Sequence, residues 1–284
     1  MKYKLLAIDV DGTLVGPDGV VTDDVTGAVA AARRAGLAVC LATGRSYVET
    51  LPIWRQLHLA APFEPIVLIG GALVSEPDTG RSLCQRAMPR DLACQFDEAL
   101  AAAGHCAMAI VDAWRYGLDY YLTDGADRDQ ADRRWFSQMN VKVRRVGRLA
   151  DEADLLEPLR ISTVVEPDEG RRLAAALAER FNGLLNIHSI FAPNYGVTIV
   201  EAFAAGTDKF AAVRYIAQGG LIPPSQIAAV GDDVNDLTMI RGAGLGAAMP
   251  NSPAEVAAAA RHLADRGLAA FIRDLLAGRF DGDR

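Results

Sequence analysis

The sequence predicts an α/β protein: a parallel-sheet core interrupted by an inserted α+β domain. Three observations carry this. Short apolar runs alternate singly with amphipathic stretches of helical length from Leu5 to Ile69. That alternation then lapses, from Arg86 to about His188, into strands and helices that no longer take turns. It resumes near the C-terminus, so the chain leaves one α/β domain, builds another and returns. The expected boundaries are 1–85 and 189–284 for the core and 86–188 for the insert.

Leu5 to Ile8 is an apolar run that ends in Asp9-Val10-Asp11-Gly12-Thr13. A buried parallel strand reads this way, with its polar residues emerging at the carboxyl end. Thr22 is placed to cap a helix carrying Val25, Val29 and Ala32 on one face, and Gly36 ends it. Leu37 to Leu41 reads as the second strand, stopping at Ala42-Thr43-Gly44-Arg45. Ser46 with Glu49 three residues on makes a capping box for the next helix. Ile66 to Ile69 is a third strand, closed by Gly70-Gly71. Right-handed crossovers then give a parallel sheet.

In the insert, Arg81–Met88 reads as a strand leading away and Asp91–Ala102 as a helix. Cys106–Val111 and Tyr116–Leu122 read as paired strands, with Trp114, Arg115 and Tyr116 at a hairpin tip. Asp124–Asp132 is an acidic loop or helix start. Val141–Val146, Leu159–Val165 and Leu184–Ile190 read as strands, and Glu169–Phe181 as a helix. On the return, Gly196–Ala202 is expected to extend the core sheet, and Thr207 to cap a helix running to about Gln218. Ile227–Gly231 is a strand ending in Asp232-Asp233-Val234-Asn235-Asp236. Leu237–Ile240 is a short helix and Leu245–Met249 a strand. Ser252 is expected to cap a helix with Pro253 at its first position, and Leu268–Leu276 is the last helix.

Composition narrows the function. The 284 residues are 51% hydrophobic and 23% charged, with a formal net charge of −7. This is the profile of a globular protein and the opposite of a basic nucleic-acid footprint, so no nucleic-acid partner is expected. No apolar run is long enough to span a bilayer, and Lys2 leads into the first strand without a signal-peptide layout. A cytoplasmic location without membrane attachment is expected, and the oligomeric state is open. Cys40, Cys84, Cys94 and Cys106 form no Cys-x-x-Cys pair and read as free core thiols.

The chemistry gathers where core strands end. Asp9 and Asp11 are two residues apart, and on an ideal strand both would face the same way and repel. A divalent cation relieves such repulsion, and carboxylate oxygens suit Mg²⁺. Read alone, the stretch is equally a strand followed by an Asp-Gly turn. Yet Thr43, Lys209 and the pair Asp232/Asp236 fall at further strand–helix junctions, which an open parallel sheet brings to one crevice. Four acids there need a cation, while Thr43 and Lys209 suit the oxygens of a phosphate.

The segments Asp9-Val10-Asp11-Gly12-Thr13, Leu41-Ala42-Thr43-Gly44-Arg45, Lys209 and Gly231-Asp232-Asp233-Val234-Asn235-Asp236 with Met239 resemble the four motifs of the haloacid dehalogenase superfamily of phosphotransferases. The resemblance runs from Lys2 to about Ala260 and is strongest to the large-cap, Cof-type sugar-phosphatase-like branch. It implies a Rossmann-like parallel-sheet core whose insert is a cap that closes over the site and sets specificity. By the same resemblance, Asp9 is the nucleophile that forms an aspartyl phosphate. The Asp11 side chain protonates the leaving alcohol and later deprotonates water. Mg²⁺ is held by the Asp9 carboxylate, the Asp11 main-chain oxygen and Asp232. Asp236 orients Asp232 or a metal-bound water, Asn235 helps fix that loop, and Gly12, Thr43 and Lys209 bind phosphate. Arg45, His188 and Asn194 are candidate substrate contacts from the core–cap junction and the cap. The chain has Gly70-Gly71-Ala72 where the family commonly has Asn-Gly-Ala, and Phe210 where it often has Gly after the lysine. Activity is expected to survive both departures.

The expected activity is Mg²⁺-dependent hydrolysis of a small phosphorylated metabolite, by resemblance a sugar phosphate. A phosphomutase would keep the same core. A non-catalytic switch phosphorylated on aspartate also combines acids, a threonine and a lysine on a parallel sheet, but it needs neither the insert nor a proton-transfer residue at Asp11. A structural metal-binding protein would be indifferent to Asp11→Asn.

Overall fold

Leu5–Asp9 is strand β1, and all five of its side chains are buried. The structure, a computed structural model, describes residues 1–16, 18–124, 141–192 and 196–282. From β1 the chain forms α1 (Asp23–Arg34), β2 (Ala38–Ala42), α2 (Tyr47–Gln56), β3 (Ile66–Leu68), β4 (Leu73–Ser75) and β5 (Ser82–Gln85). The capping residues act as their chemistry directs. The Thr22 side chain accepts from Val25 N, and Ser46 and Glu49 form the capping box. Gly36 follows α1 at φ +84°, the left-handed conformation that ends helices.

The inserted segment continues with α3 (Arg90–Ala102), β6 (Met108–Ile110), α4 (Ala113–Tyr116), β7 (Tyr120–Thr123), β8 (Val143–Val146), β9 (Arg160–Val165), α5 (Pro167–Arg180), β10 (Leu185–Ala192) and β11 (Val197–Ala204). Trp114, Arg115 and Tyr116 lie in the connection between the antiparallel neighbours β6 and β7, where they form a one-turn helix. Its cap is Asp112, which accepts from Trp114 N and Arg115 N. The chain ends with α6 (Lys209–Gly219), β12 (Ile227–Gly231), α7 (Leu237–Gly242), β13 (Leu245–Ala248), α8 (Ala254–Ala259), β14 (His262–Leu263) and α9 (Leu268–Leu276). Asp208, not Thr207, caps α6, its carboxylate accepting from Ala211 N. Pro253, not Ser252, precedes α8, and no side chain caps that helix.

Two compact units result, 1–83 with 208–284, and 84–207. The expected boundaries differ most at the return. Gly196–Ala202 does not extend the core sheet. As β11 it pairs antiparallel with β10 and β9, so the second unit keeps the chain until Thr207. Backbone hydrogen bonding sets the division here, and an apolar run does not name its partner strand.

In the first unit the strand order is β14-β13-β12-β1-β2-β3-β4-β5. The sheet is parallel from β14 to β3, and β4 runs antiparallel to β3. β1 lies centrally between β12 and β2, which explains its unbroken burial. Register aligns the chemistry: Asp9 is opposite Ala42, and Ile8 is opposite Val230. The first, second and fourth motifs therefore leave the sheet at one level. Phe271, Ile272 and Leu275 of α9 are buried, and α9 packs against α1. Each such side chain contributes about 1.5–3 kcal/mol of burial.

The second unit is a six-stranded sheet in the order β10-β11-β9-β6-β7-β8. Phe96 and Leu100 of α3, with Leu173 and Leu177 of α5, cover one face through Ala109, Tyr121, Ile161 and Val200. Lys142, Arg144 and Arg145 line the exposed β8 edge, charges that discourage strand addition. Among the described residues no helix is long and apolar enough to cross a membrane.

Candidate active site

Strand β1 delivers Asp9 into a buried cluster at its carboxyl end. Lys209 Nζ lies 2.6 Å from Asp9 Oδ1 and 2.7 Å from Asp236 Oδ1, with Asn235 Oδ1 at 3.4 Å. All of Lys209 is buried although it opens helix α6. A buried ammonium persists only when paired, and here two carboxylates hold it. Burial works against its charge, but Asp236 and Asp9 more than offset this and hold its pKa above the ordinary lysine range.

Asp236 is fully buried and both of its oxygens are in use. Oδ2 accepts from Asp232 N at 3.0 Å and from Asp233 N at 3.2 Å, while Oδ1 takes Lys209. The fourth motif is thus a loop closed on its own last carboxylate, with Asp233 capping the turn at Val234–Asp236. This fixes Asp232, whose Oδ1 also accepts from Thr13 Oγ1 at 3.1 Å. Burial first and Asp236 second push the Asp232 carboxyl up to about 6, and the same two causes raise Asp9 well above the carboxylate range.

Asp9, Asp232 and Asp236 bring carboxylate oxygens within 4.8 Å of one another. This all-oxygen set fits a hard divalent cation, and the raised proton affinities show charge that such a cation would relieve. Because Asp236 is spent on Lys209 and two amides, Asp9 and Asp232 are the carboxylates placed to ligate. The Asp9 and Val10 carbonyls accept from Leu14 N and Val15 N, so the turn's own bonds do not use the Asp11 carbonyl.

Two expected features differ. Strand β1 ends at Asp9 and the chain turns, so Asp11 lies beyond the strand, exposed where Asp9 is buried. The Asp11 carboxylate receives Arg45 in a two-point contact, Nε to Oδ2 at 2.8 Å and Nη2 to Oδ1 at 2.5 Å. The Gly12 N–H, expected to face phosphate, donates to Val15 O at 3.0 Å. Gly12 matters for its missing side chain: at φ +78°, a Cβ there would sit 2.2 Å from Asp232 Oδ2.

Thr43 is buried one residue beyond β2, and its hydroxyl accepts from Arg45 N at 3.1 Å. The turn after β3 clamps this motif: Ile69 N donates to Arg45 O and Gly70 N to Thr43 O, both at 3.0 Å. Ile69, Gly70 and Gly71 all have positive φ, at +50°, +61° and +100°. Glycine is the residue most tolerant of that region, so Gly70 takes this turn without steric cost. The ring of Phe210, the other departure, lies where a Cβ on Gly242 would be, 2.1 Å from Phe210 Cε1, and so packs inward.

His188 lies on β10 opposite Glu201, half-buried, its ring 6.1 Å from that of Phe203. It belongs to the second unit, and Asn194 lies outside the described residues. Sequence reasoning missed the Thr13–Asp232 bond and the Arg45–Asp11 pair. The adjacent polar residue in the first motif was a signal for the former; partners 34 positions apart give none for the latter.

Residues 6–267 match the haloacid dehalogenase-like hydrolase family. The Bacillus subtilis 5-amino-6-(5-phospho-D-ribitylamino)uracil phosphatase YitU is 26% identical over 254 residues, covering 88% of this chain and 87% of that protein. The phosphoglycolate phosphatase of Natronomonas pharaonis is 26% identical over 267 residues, covering 93% and 92%. The solved structure of the subclass IIB sugar phosphatase BT4131 superposes with a TM-score of 0.76 at 17% identity, covering 96% of this chain and 99% of that one. With its sheet order, its motif-bearing strand ends and this family match in agreement, the chain belongs to the haloacid dehalogenase-like hydrolases and is a phosphatase.

Proposed function

We propose that the protein hydrolyses a small phosphorylated metabolite, a sugar or polyol phosphate, with Mg²⁺ as cofactor and Asp9 as nucleophile. The observation that carries this is the buried Lys209 ammonium 2.6 Å from Asp9 at the end of the central strand. A carboxylate fixed beside a permanent cation suits attack on a phosphorus whose oxygens carry negative charge. The substrate class is supported by relatives named for a phosphorylated ribityl compound and for sugar phosphates.

An Asp9 carboxylate oxygen bonds to phosphorus as the bond to the leaving oxygen breaks. Asp11, in its protonated form and with one oxygen released from Arg45, gives its proton to the leaving oxygen, releasing the alcohol. Asp11 then takes a proton from water, whose oxygen bonds to phosphorus as the Asp9–phosphorus bond breaks, leaving inorganic phosphate. Lys209 offsets charge on the phosphoryl oxygens and Thr43 adds a hydrogen bond. Asp9, Asp232 and the Asp11 main-chain oxygen would hold Mg²⁺, which supplies further positive charge against those oxygens. The second unit, as a cap, would exclude water and select the leaving group, with His188 and Asn194 as candidate contacts.

Phosphate release with Mg²⁺ across hexose, pentose, polyol, nucleotide and cofactor phosphates tests this. Repeated turnover of one class, lost in Asp9→Asn, is expected. A single equivalent of released alcohol would indicate a switch, and phosphoryl return to a substrate hydroxyl would indicate a mutase.

A further inference from the structure

We propose that Arg45 is the positioning residue for Asp11, acting on the reaction through that carboxylate rather than by contact with substrate. This rests on the assignment of Asp11 as the proton-transfer group. The guanidinium meets the carboxylate at two points, 2.8 Å and 2.5 Å, a geometry that fixes the plane of both groups. One contact would leave the carboxylate free to rotate; two do not.

Both ends of the pair are held by backbone. Arg45 N donates to Thr43 Oγ1 at 3.1 Å, and Arg45 O accepts from Ile69 N at 3.0 Å. Ser46 then caps α2, with Glu49 closing its box, so the guanidinium extends from a fixed base. On the other side, Asp11 is flanked by two bonds to Val15, Val15 N to Val10 O and Gly12 N to Val15 O, both at 3.0 Å. The Asp11 carboxylate is about half exposed and has left the buried cluster of Asp9, Asp232 and Asp236. Lys209 serves those inner acids, while Arg45 serves the acid that stands apart. A group that moves a proton must meet the leaving oxygen in a narrow range of angle and distance. An exposed carboxylate on a turn lacks that definition unless something imposes it.

A substrate-binding arginine and a positioning arginine differ in a double-mutant cycle. Arg45→Met, Asp11→Asn and the double variant are compared on a simple alkyl phosphate and on an aryl phosphate, whose leaving group departs without full protonation. The pair is solvent-exposed enough that breaking it costs little folding stability. Arg45→Met is expected to lower kcat on the alkyl phosphate by roughly 10- to 100-fold, with a clearly smaller loss on the aryl phosphate and little change in KM. In the Asp11→Asn background the same substitution is expected to cost less than about 2-fold. Arg45→Lys, one point of contact instead of two, should recover part of the loss. Additive losses in the double variant, or a loss confined to KM, would overturn the proposal in favour of direct substrate contact. Wild-type activity in Asp11→Asn alone would instead overturn the assignment of Asp11, a separable result.

Discussion

Replacing Asp236 with asparagine keeps its shape and removes one charge from the buried cluster. The carboxylate it loses makes three bonds, to Lys209 Nζ at 2.7 Å, Asp232 N at 3.0 Å and Asp233 N at 3.2 Å. All three partners are donors, and an asparagine has one oxygen to offer them. If that oxygen faces the amides, the NH2 group meets an ammonium; if it faces Lys209, the NH2 meets two N–H groups. Either arrangement forfeits charge-assisted bonds at a fully buried position, a cost of about 3–5 kcal/mol. Asp236 also raises the proton affinity of Asp9 and Asp232, so its neutralisation relieves some repulsion. That relief returns on the order of 1–2 kcal/mol, because Lys209 still meets Asp9 at 2.6 Å. A net loss of about 1–4 kcal/mol lowers the melting temperature of a chain of this size by roughly 2–16 °C. Differential scanning calorimetry of the metal-free protein measures it, with phosphate release followed in parallel. Activity should fall as well, since one arrangement frees the Asp232 backbone and the other disturbs Lys209 beside Asp9. A metal-free Asp236→Asn protein that melts at or above the wild-type temperature would refute the reasoning, showing that repulsion among the acids outweighs the bonds.

Two further predictions follow from the same cluster. Gly12→Ala should lower phosphate release at least ~100-fold by displacing Asp232, while Gly19→Ala, also at positive φ but with nothing within 4 Å of its Cβ position, should keep near-wild-type activity; the comparison separates the clash from the backbone cost, about 1 kcal/mol in each. Asp232 has its pKa raised from 3.8 to about 6, so the folded state binds more protons than the unfolded state within that window. Stability of the metal-free protein therefore falls as pH rises from about 4 to about 6, by on the order of 3 kcal/mol from this group, and then levels. Added Mg²⁺ should raise the melting temperature more at pH 7 than at pH 5, and equal shifts at both values would count against ligation by these carboxylates.

Local rules made much of the core legible. The run Leu5–Ile8 ending in acids, the Ser46–Glu49 box and the period of Leu268–Leu276 each describe their own surroundings, and the structure has an element at each. Where two neighbours compete, local rules choose poorly. Thr207 reads as the cap, but the carboxylate of its neighbour Asp208 takes the amide. Strand β4 is three residues beyond a turn that needs three successive positive φ values, one of them at an isoleucine. No propensity predicts that, because contacts with Thr43 O and Arg45 O impose it. The pairing of β10 and β11 with β9 is likewise non-local, which is why the return to the core was misplaced in the sequence reading.

The candidate site shows the same division between what residues declare and what packing decides. Acids at strand ends identified Asp9, Asp11, Asp232 and Asp236 from sequence, but treating them as one repelling group was too simple. The turn after Asp9 sorts them. Asp11 moves out to an arginine, leaving a neutral pair at the rim. The other three stay inside with one lysine, an excess of acid that shows in the raised proton affinities of Asp9 and Asp232. A phosphate ester would bring further negative charge to that cluster, so the chain's own cations do not suffice for it. The excess sits on Asp9 and Asp232, the two carboxylates not fully occupied by protein donors, while Asp236 is committed to holding the loop. On the proposed mechanism, a divalent cation would take its place at Asp9 and Asp232, and proton transfer would fall to Asp11, which stands apart with Arg45.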